Sequence, residues 1–379
     1  MIIKGILSEE SKPKITSYYA QDRDYTFLVD AGNGTLPVAD VKAIQAIFLT
    51  HAHSDHTIAF FRSEFINHLD QHVKVFATKT TKELLKVLIK NQHDIDIVRD
   101  RYAPSLQKKI DLILSSIIEI TYDSKINLTP NRQVTFYKAG HMLGAAMVYY
   151  EHGENRVLFT GDMDFAWISQ KDNKVDLYRS YDQRIGEKIK PTMVIADGTT
   201  ISQSFLEDGF GFKHDKITRI IKDILNSHYK RPFYLLTRYD KAIPIARRLA
   251  QDERLKDYKI VYGSEFLPTN RVVYEAGYDI YQPGKLYQDF GVLDDVMRGQ
   301  FENHDYVYIT SKKSNVKASR DYTVSLHIAF DDLLNFLSLF PEAKIVISHY
   351  NLEEQLAYES FCQLRHFELF NPNEAIEAT

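Results

Sequence analysis

One cysteine, Cys362, is all the thiol this 379-residue chain possesses. A single thiol closes no intrachain disulfide and builds no thiolate cage for iron–sulfur or structural zinc. It sits in the apolar stretch 361–367 and reads as a packed thiol, not a nucleophile. Long hydrophobic runs are also missing: nothing approaches the roughly 20 apolar residues that span a bilayer. The opening segment, Met1 to Glu10, turns acidic too soon for a secretory signal, so a cytoplasmic protein with no membrane partner is expected. Positive charge is not in excess either. A formal net charge of -4 gives no global attraction to nucleic acid, so polyanion binding has to come from a local patch or from metal ions. Internal repeats, low-complexity tracts and Pro/Ser-rich linkers are lacking as well, which favours an inserted domain over beads on a string.

What the chain does have is enough apolar residues, 44% of the total, to bury one large core or two. Short apolar or alternating runs at 25–29, 46–50, 73–77, 133–137, 146–150 and 156–160 predict strands. Helical periodicity covers 81–89 and 106–118. The mixture implies an α/β layered fold with helices over sheets. From about residue 213 the order becomes regular: helix 215–228, strand 232–237, helix 241–249, then strands 259–262 and 305–310. That spacing implies parallel βαβ connections in a separate α/β unit. A strand at 343–348 and an amphipathic helix at 352–364 close the pattern.

The strand at 46–50 runs straight into His51, His53, Asp55 and His56. About one chain in a thousand of this composition would carry that spacing by chance. In extended backbone His51 and His53 point to one side and suit one ion. Asp55 and His56, displaced around the turn, suit a second ion. A His/carboxylate set without cysteine favours Zn²⁺ or Mn²⁺. Three further strand ends offer donors: His141 in Ala139-Gly140-His141-Met142-Leu143-Gly144, Asp162 after Gly161, and His349 after the last strand. Each alone is more often a turn or capping residue than a ligand. Together they match the expectation that a dinuclear site draws ligands from separate loops at one sheet edge.

These residues resemble the metallo-β-lactamase superfamily, whose hallmark is the His-x-His-x-Asp-His loop. Four more stretches resemble its β-CASP nuclease branch: those around His141, Asp162, His327 and His349. The resemblance implies a metallo-β-lactamase αββα sandwich over 1–204 and 323–379, with an inserted β-CASP-like α/β domain over 205–322. It also implies a ligand set: His51, His53 and His141 on one zinc ion, Asp55, His56 and His349 on the other, with Asp162 bridging and Asp30 orienting a ligand. Asp197 matches the branch's acidic motif and His327 its catalytic histidine; with Asp55 these are the expected catalytic residues. The chain departs from the branch pattern at three places. It has Asp197-Gly198-Thr199-Thr200-Ile201 for Glu-Ser-Thr-Tyr-Gly, Leu326 for a small residue, and Tyr350-Asn351 for Gly-Glu after His349.

A histidine at position 349 and the form of the segment around His141 resemble RNA-directed members, which implies a ribonuclease acting on single-stranded RNA. His327 alone reads equally as a satisfied histidine at a helix N-terminus. Residues 213–259 carry 13 Lys/Arg against 6 Asp/Glu, a patch that suits a phosphate backbone or an ordinary solvated helix face. Two other readings stay open: a small-molecule metallohydrolase acting on lactones, thioesters or cyclic phosphodiesters, and a non-catalytic binding protein of the same fold. No further domain is expected after the last helix, and the oligomeric state is open, a homodimer among the alternatives.

Overall fold

Apolar runs punctuated by small and polar residues become the strands of two sheets in a computed structural model of the chain. It describes residues 1–8, 14–32, 34–87, 104–165, 167–169, 174–175, 180–201 and 327–378, with short segments between 220 and 323. The first sheet takes β1 (Ile2–Leu7), β2 (Ile15–Asp22), β3 (Tyr25–Val29), β4 (Ala46–Phe48), β5 (Lys74–Thr78) and β6 (Ile118–Ile120). The second takes β7 (Lys125–Thr129), β8 (Arg132–Lys138), β9 (Ala146–His152), β10 (Asn155–Phe159), β11 (Met193–Asp197), β12 (Lys344–Ser348) and β13 (Glu368–Leu369). A closing strand, β14 (Ala375–Glu377), returns to the first sheet beside β1.

The strand orders are β14-β1-β2-β3-β4-β5-β6 and β13-β12-β11-β10-β9-β8-β7. Each sheet is mixed in the same way. An antiparallel meander, β1 to β3 or β7 to β10, gives way to parallel pairing, β3 to β6 or β10 to β13. Parallel neighbours end at one edge, so their carboxyl-terminal loops line up there. β2 runs against β3, and its first residue therefore lies at that same edge.

Aromatic side chains fill the space between the sheets. Phe27 of β3 packs on Tyr150 of β9 with ring centroids 4.6 Å apart, and Tyr18 of β2 on Phe159 of β10 at 5.5 Å. All five residues of β3 are buried, as expected for a strand covered on both faces. Among the described helices are α1 (Ser54–Thr57), α2 (Pro104–Ser116), α3 (Phe330–Leu337) and α4 (Gln355–Arg365). α3 buries Leu333, Phe336 and Leu337, and α4 buries Tyr358, Phe361 and Cys362. Burial pushes the Cys362 thiol up to about 12, so it is the packed, unreactive group its surroundings suggest.

The expected helix over 106–118 stops at Ser116, because Ile118 is drawn into β6, whose pairing with β5 begins at Phe76. The expected helix from 352 opens with a 3-10 turn, Leu352–Glu354, before α4 begins. Strands β1, β2, β7, β11, β13 and β14 go beyond the predicted pattern. In β2 the apolar run is broken by Thr16 and Ser17, yet both are buried.

The chain divides into two compact units, one of Met1–Phe165, Ser180–Phe210 and His327–Thr379, the other of Ala166–Arg179 and Gly211–Leu326. In the second unit five strands pair in parallel in the order Gln288–Asp289, Lys259–Tyr262, Tyr234–Thr237, Tyr306–Thr310, Arg320–Thr323. The helix expected at 241–249 lies outside the described residues. Among the described residues no helix is long and apolar enough to cross a membrane.

Phe27, fully buried and in contact with four other rings across and along the sheets, anchors the sandwich. Phe27→Ala is expected to lower unfolding free energy by about 3–5 kcal/mol, read as a shift of the urea midpoint; a loss below about 1 kcal/mol would show that the two sheets are held together elsewhere.

Candidate metal centre

β4 ends at Phe48, and the chain then delivers Thr50, His51 and His53 before turning through α1. Asp30 follows β3 and fixes this loop. Its carboxylate accepts from the Thr50 N–H and the Thr50 hydroxyl, both at 2.7 Å, and from His56 Nδ1 at 2.8 Å. Thr50 in turn reaches His51 Nδ1 at 3.0 Å. One buried carboxylate thus orients two imidazoles and leaves the Nε2 edge of each directed away from it. Asp30 and His349 both hold a left-handed backbone, with φ of 62° and 57°. That conformation is uncommon outside glycine and concentrates at functional sites.

His141 comes from the loop between β8 and β9. There Gly144 takes a φ of 80°, which a side chain would strain. Its carbonyl accepts from the hydroxyls of Thr78 and Thr81 at 2.8 and 3.0 Å. Asp162 follows β10, and His349 follows β12, where Ser348 accepts a 2.8 Å hydrogen bond from the buried Tyr18 hydroxyl.

The side chains converge as two sets around Asp162. In the first, His53 Nδ1 lies 3.1 Å from His51 Nε2 and 3.0 Å from His141 Nε2, while Asp162 Oδ2 stands 3.7 and 3.5 Å from the same two atoms. In the second, Asp162 Oδ1 lies 3.3 Å from His56 Nε2 and 2.8 Å from His349 Nδ1, and Asp55 Oδ2 is 3.9 Å from His56 Nε2. Donors placed tetrahedrally about 2.0–2.1 Å from a zinc ion stand about 3.3–3.4 Å apart, the middle of these spacings. The combinations His51, His53, His141, Asp162 and Asp55, His56, His349 each keep their donor atoms within 4.8 Å of one another.

Burial adds an independent test. His56 Nε2, His349 Nε2 and Asp162 Oδ1 are buried polar atoms with no hydrogen-bond partner among the described residues. The 2.8 Å approach of His349 to Asp162 is therefore an ion-pair contact without hydrogen-bond alignment. Native interiors seldom leave such atoms unpaired unless an ion or water completes them. Three in one cluster of nitrogen and carboxylate donors fit a divalent cation, and two sets sharing one carboxylate fit a dinuclear site.

The electrostatics agree. Burial alone would push Asp162 up, but His349, His56 and His327 hold it well below the usual carboxylate range. Burial likewise opposes the charged forms of His56 and His349, yet the carboxylates around them, Asp162, Asp55 and Asp30 for His56 and Asp162 and Asp197 for His349, together raise both above ordinary imidazole. His51 goes the other way, lowered by burial and then by the charge of His56.

A third group stands beside these. Asp197, at the end of β11, accepts from the N–H of Met163 at 3.3 Å, from the N–H and hydroxyl of Thr199 at 3.0 and 2.6 Å, and from His327 Nδ1 at 2.9 Å. His327 Nδ1 is also 3.8 Å from Asp162 Oδ2. Thr200 donates to the carbonyl of Ile328 at 2.7 Å and holds this segment in place. Gly198 permits the close pairing of β11 with β12: a Cβ there would meet Ile347 Cγ2 at 2.6 Å. All ten side chains predicted for the site, Asp30 included, gather at this one edge. Thr50, Thr199 and the Thr78/Thr81 clamp were not anticipated, since a threonine beside a ligand carries no spacing signal of its own.

Residues 13–194 match the sequence profile described as the metallo-beta-lactamase superfamily. That segment, just under half of the chain, carries the superfamily's sequence pattern. Curated relatives include the transcription termination factor FttA of Methanocaldococcus jannaschii, 28% identical over 39% of this chain and 25% of the relative. An RNase J-like protein of the same organism is 27% identical over 36% and 30%, and the endoribonuclease YSH1 of Mycosarcoma maydis is 32% identical over 32% and 14%. The chain thus aligns with less than a third of the length of each. Among solved structures, a protein of unknown function from Enterococcus faecalis V583 superposes with a TM-score of 0.61 over 99% of both chains at 15% identity. That likeness is one of fold alone and says nothing of chemistry.

A superfamily metal site with these proton affinities predicts linkage. His56 and His349 hold protons more tightly than free imidazole, and ligation requires them neutral. Metal loading at neutral pH is expected to release protons, with affinity rising as pH rises through the raised values. Calorimetric titration with zinc in buffers of different ionisation heat checks this; heats independent of the buffer would contradict it.

Proposed function

We propose that the protein is a metal-dependent RNA phosphodiesterase of the β-CASP type, with His327 as its general acid. The observation that carries the reading is the pair His327–Asp197 set beside the metal-ligand sets. Asp197 is held well below the usual carboxylate range, because the charge and hydrogen bond of His327 outweigh its burial, so it is an acceptor at neutral pH. Accepting from Nδ1 at 2.9 Å, it fixes the proton there and orients the ring. The His327 side chain keeps 19% exposure where its partner is buried. An imidazole so placed suits proton delivery more than structure.

His51, His53, His141 and Asp162 would hold one zinc ion, and Asp55, His56, His349 and Asp162 the other. Two such ions supply an activated water at neutral pH and charge stabilisation for a phosphoryl group. In the proposed reaction a water oxygen bonds to phosphorus, the bridging P–O bond breaks, and His327 donates a proton to the departing oxygen. The relatives support the substrate class, since two of them are named as ribonucleases.

The test is hydrolysis of labelled single-stranded RNA by zinc-loaded wild type and His327→Ala, with metal content determined for both. Cleavage by wild type is expected, with a loss of about 10²–10⁴-fold in a variant that keeps its metal. Intact RNA at full occupancy would sink the reading, and turnover of a lactone or thioester instead would make the protein a small-molecule hydrolase.

A further inference from the structure

Two histidines of the cluster turn Nδ1 toward a threonine, and the two surroundings are built alike. Thr50 stands two residues after β4, and Thr199 two residues after β11. The Thr50 hydroxyl donates to Asp30 Oδ2 at 2.7 Å and lies 3.0 Å from His51 Nδ1. The Thr199 hydroxyl donates to Asp197 Oδ1 at 2.6 Å and lies 3.2 Å from His349 Nδ1. Each carboxylate also binds another imidazole directly, His56 on Asp30 at 2.8 Å and His327 on Asp197 at 2.9 Å. A buried aspartate with one ring bound directly and one through a threonine thus occurs twice.

A hydroxyl has one proton to give and two lone pairs to offer. For Thr199 the nearest acceptor is the Asp197 carboxylate; the His349 carbonyl, at 3.2 Å, is the weaker acceptor of the same proton. A bond to the carboxylate is charge-assisted and the stronger of the two. A lone pair is then left for His349 Nδ1, and it attracts that nitrogen only when the nitrogen carries hydrogen. Two further oxygens near Nδ1 are acceptors as well, Asp162 Oδ1 at 2.8 Å and Asp197 Oδ1 at 3.5 Å. Across the ring, Nε2 is buried and has no hydrogen-bond partner among the described residues. Backbone pairing keeps these parts together, since the Gly198 N–H donates to the Ser348 carbonyl at 2.8 Å.

We propose that Thr199 is a positioning residue of the metal centre: its hydroxyl links Asp197 to His349, holds the ring proton on Nδ1 and presents Nε2 as the metal-binding nitrogen. The inference rests on the two-ion reading of the cluster and not on the choice of substrate. Asp197 then serves two imidazoles, His327 through Oδ2 and His349 through Oδ1 and Thr199. One carboxylate so orients both the proposed general acid and a ligand. Hydrogen-bond partners that fix a ligating histidine are worth about ten- to a hundredfold in metal affinity.

The experiment measures zinc binding to the full chain by competition with a chromophoric chelator, for wild type, Thr199→Val and Thr199→Ser. Valine keeps the shape of threonine and removes the hydroxyl. It is expected to weaken one of the two zinc ions by about ten- to a hundredfold and to leave the other unchanged, while serine retains wild-type affinity for both. Nitrogen-15 spectra of the zinc-loaded wild type, with the His349 signals assigned by their loss in His349→Gln, should show a proton on Nδ1 and the metal on Nε2. Equal zinc affinities in wild type and Thr199→Val, a serine variant as weak as the valine one, or spectra with Nδ1 on the metal would each overturn the proposal. A wild type that takes up a single zinc would overturn the two-ion reading together with it. Failure to cleave RNA would overturn the ribonuclease reading alone, because zinc binding is measured without turnover.

Discussion

Five imidazoles surround one buried carboxylate, and that arrangement constrains everything else in the site. Asp162 Oδ2 faces His51, His141 and His327 at 3.5–3.8 Å, while Oδ1 faces His56 and His349 at 2.8–3.3 Å. A lone carboxylate so buried would cost several kcal/mol in desolvation. Compensation requires rings from the loops after β4, β8 and β12 and from α1 to reach it simultaneously. Both sheets must therefore place their strand ends within side-chain reach of a single residue. The aromatic packing of Phe27, Tyr150, Tyr18 and Phe159 between the sheets sets that separation.

Support for this arrangement is layered. Nearest the donors, Asp30 and Asp197 each bind a ring nitrogen that faces away from the cluster or flanks it. Beyond them, the hydroxyls of Thr199 and Thr200 donate to the backbone carbonyls of His349 and Ile328, while those of Thr50 and Tyr18 donate to the side chains of Asp30 and Ser348. Hydroxyls serve here because a strand end leaves backbone groups without ladder partners, and a short side chain next in sequence satisfies them. The left-handed backbones of Asp30 and His349 persist because these contacts over-determine them.

The ligand set was legible because its chemistry is written in short-range spacing. His51, His53, Asp55 and His56 share one loop, and His141, Asp162 and His349 each follow a predicted strand. The strands with all-apolar or alternating runs were legible as well, β3 to the residue. β2 was not, since Thr16, Ser17 and Asp22 interrupt its pattern while the fold buries all three. Thr199 and Thr200 were visible as part of a motif, but their partners, Asp197, His349 and Ile328, are fixed by pairing of β11 with β12 across a long separation in sequence. The end of α2 was misjudged because Ile117 and Ile118 continue a helical rhythm that sheet pairing overrides.

The order in which the ligands occur along the chain has a consequence for biosynthesis. Asp30 through Asp162 lie in the first half, whereas β12 and His349 follow only after the whole second unit has been made. During translation the His51, His53, His141 and Asp162 set is complete long before the other, while β11 still lacks the neighbour that will pair with it. Long-range parallel pairing of that kind is slow to form. A nascent chain therefore offers one finished ligand set and an unpartnered sheet edge, and full metal capacity arrives only when β12 docks.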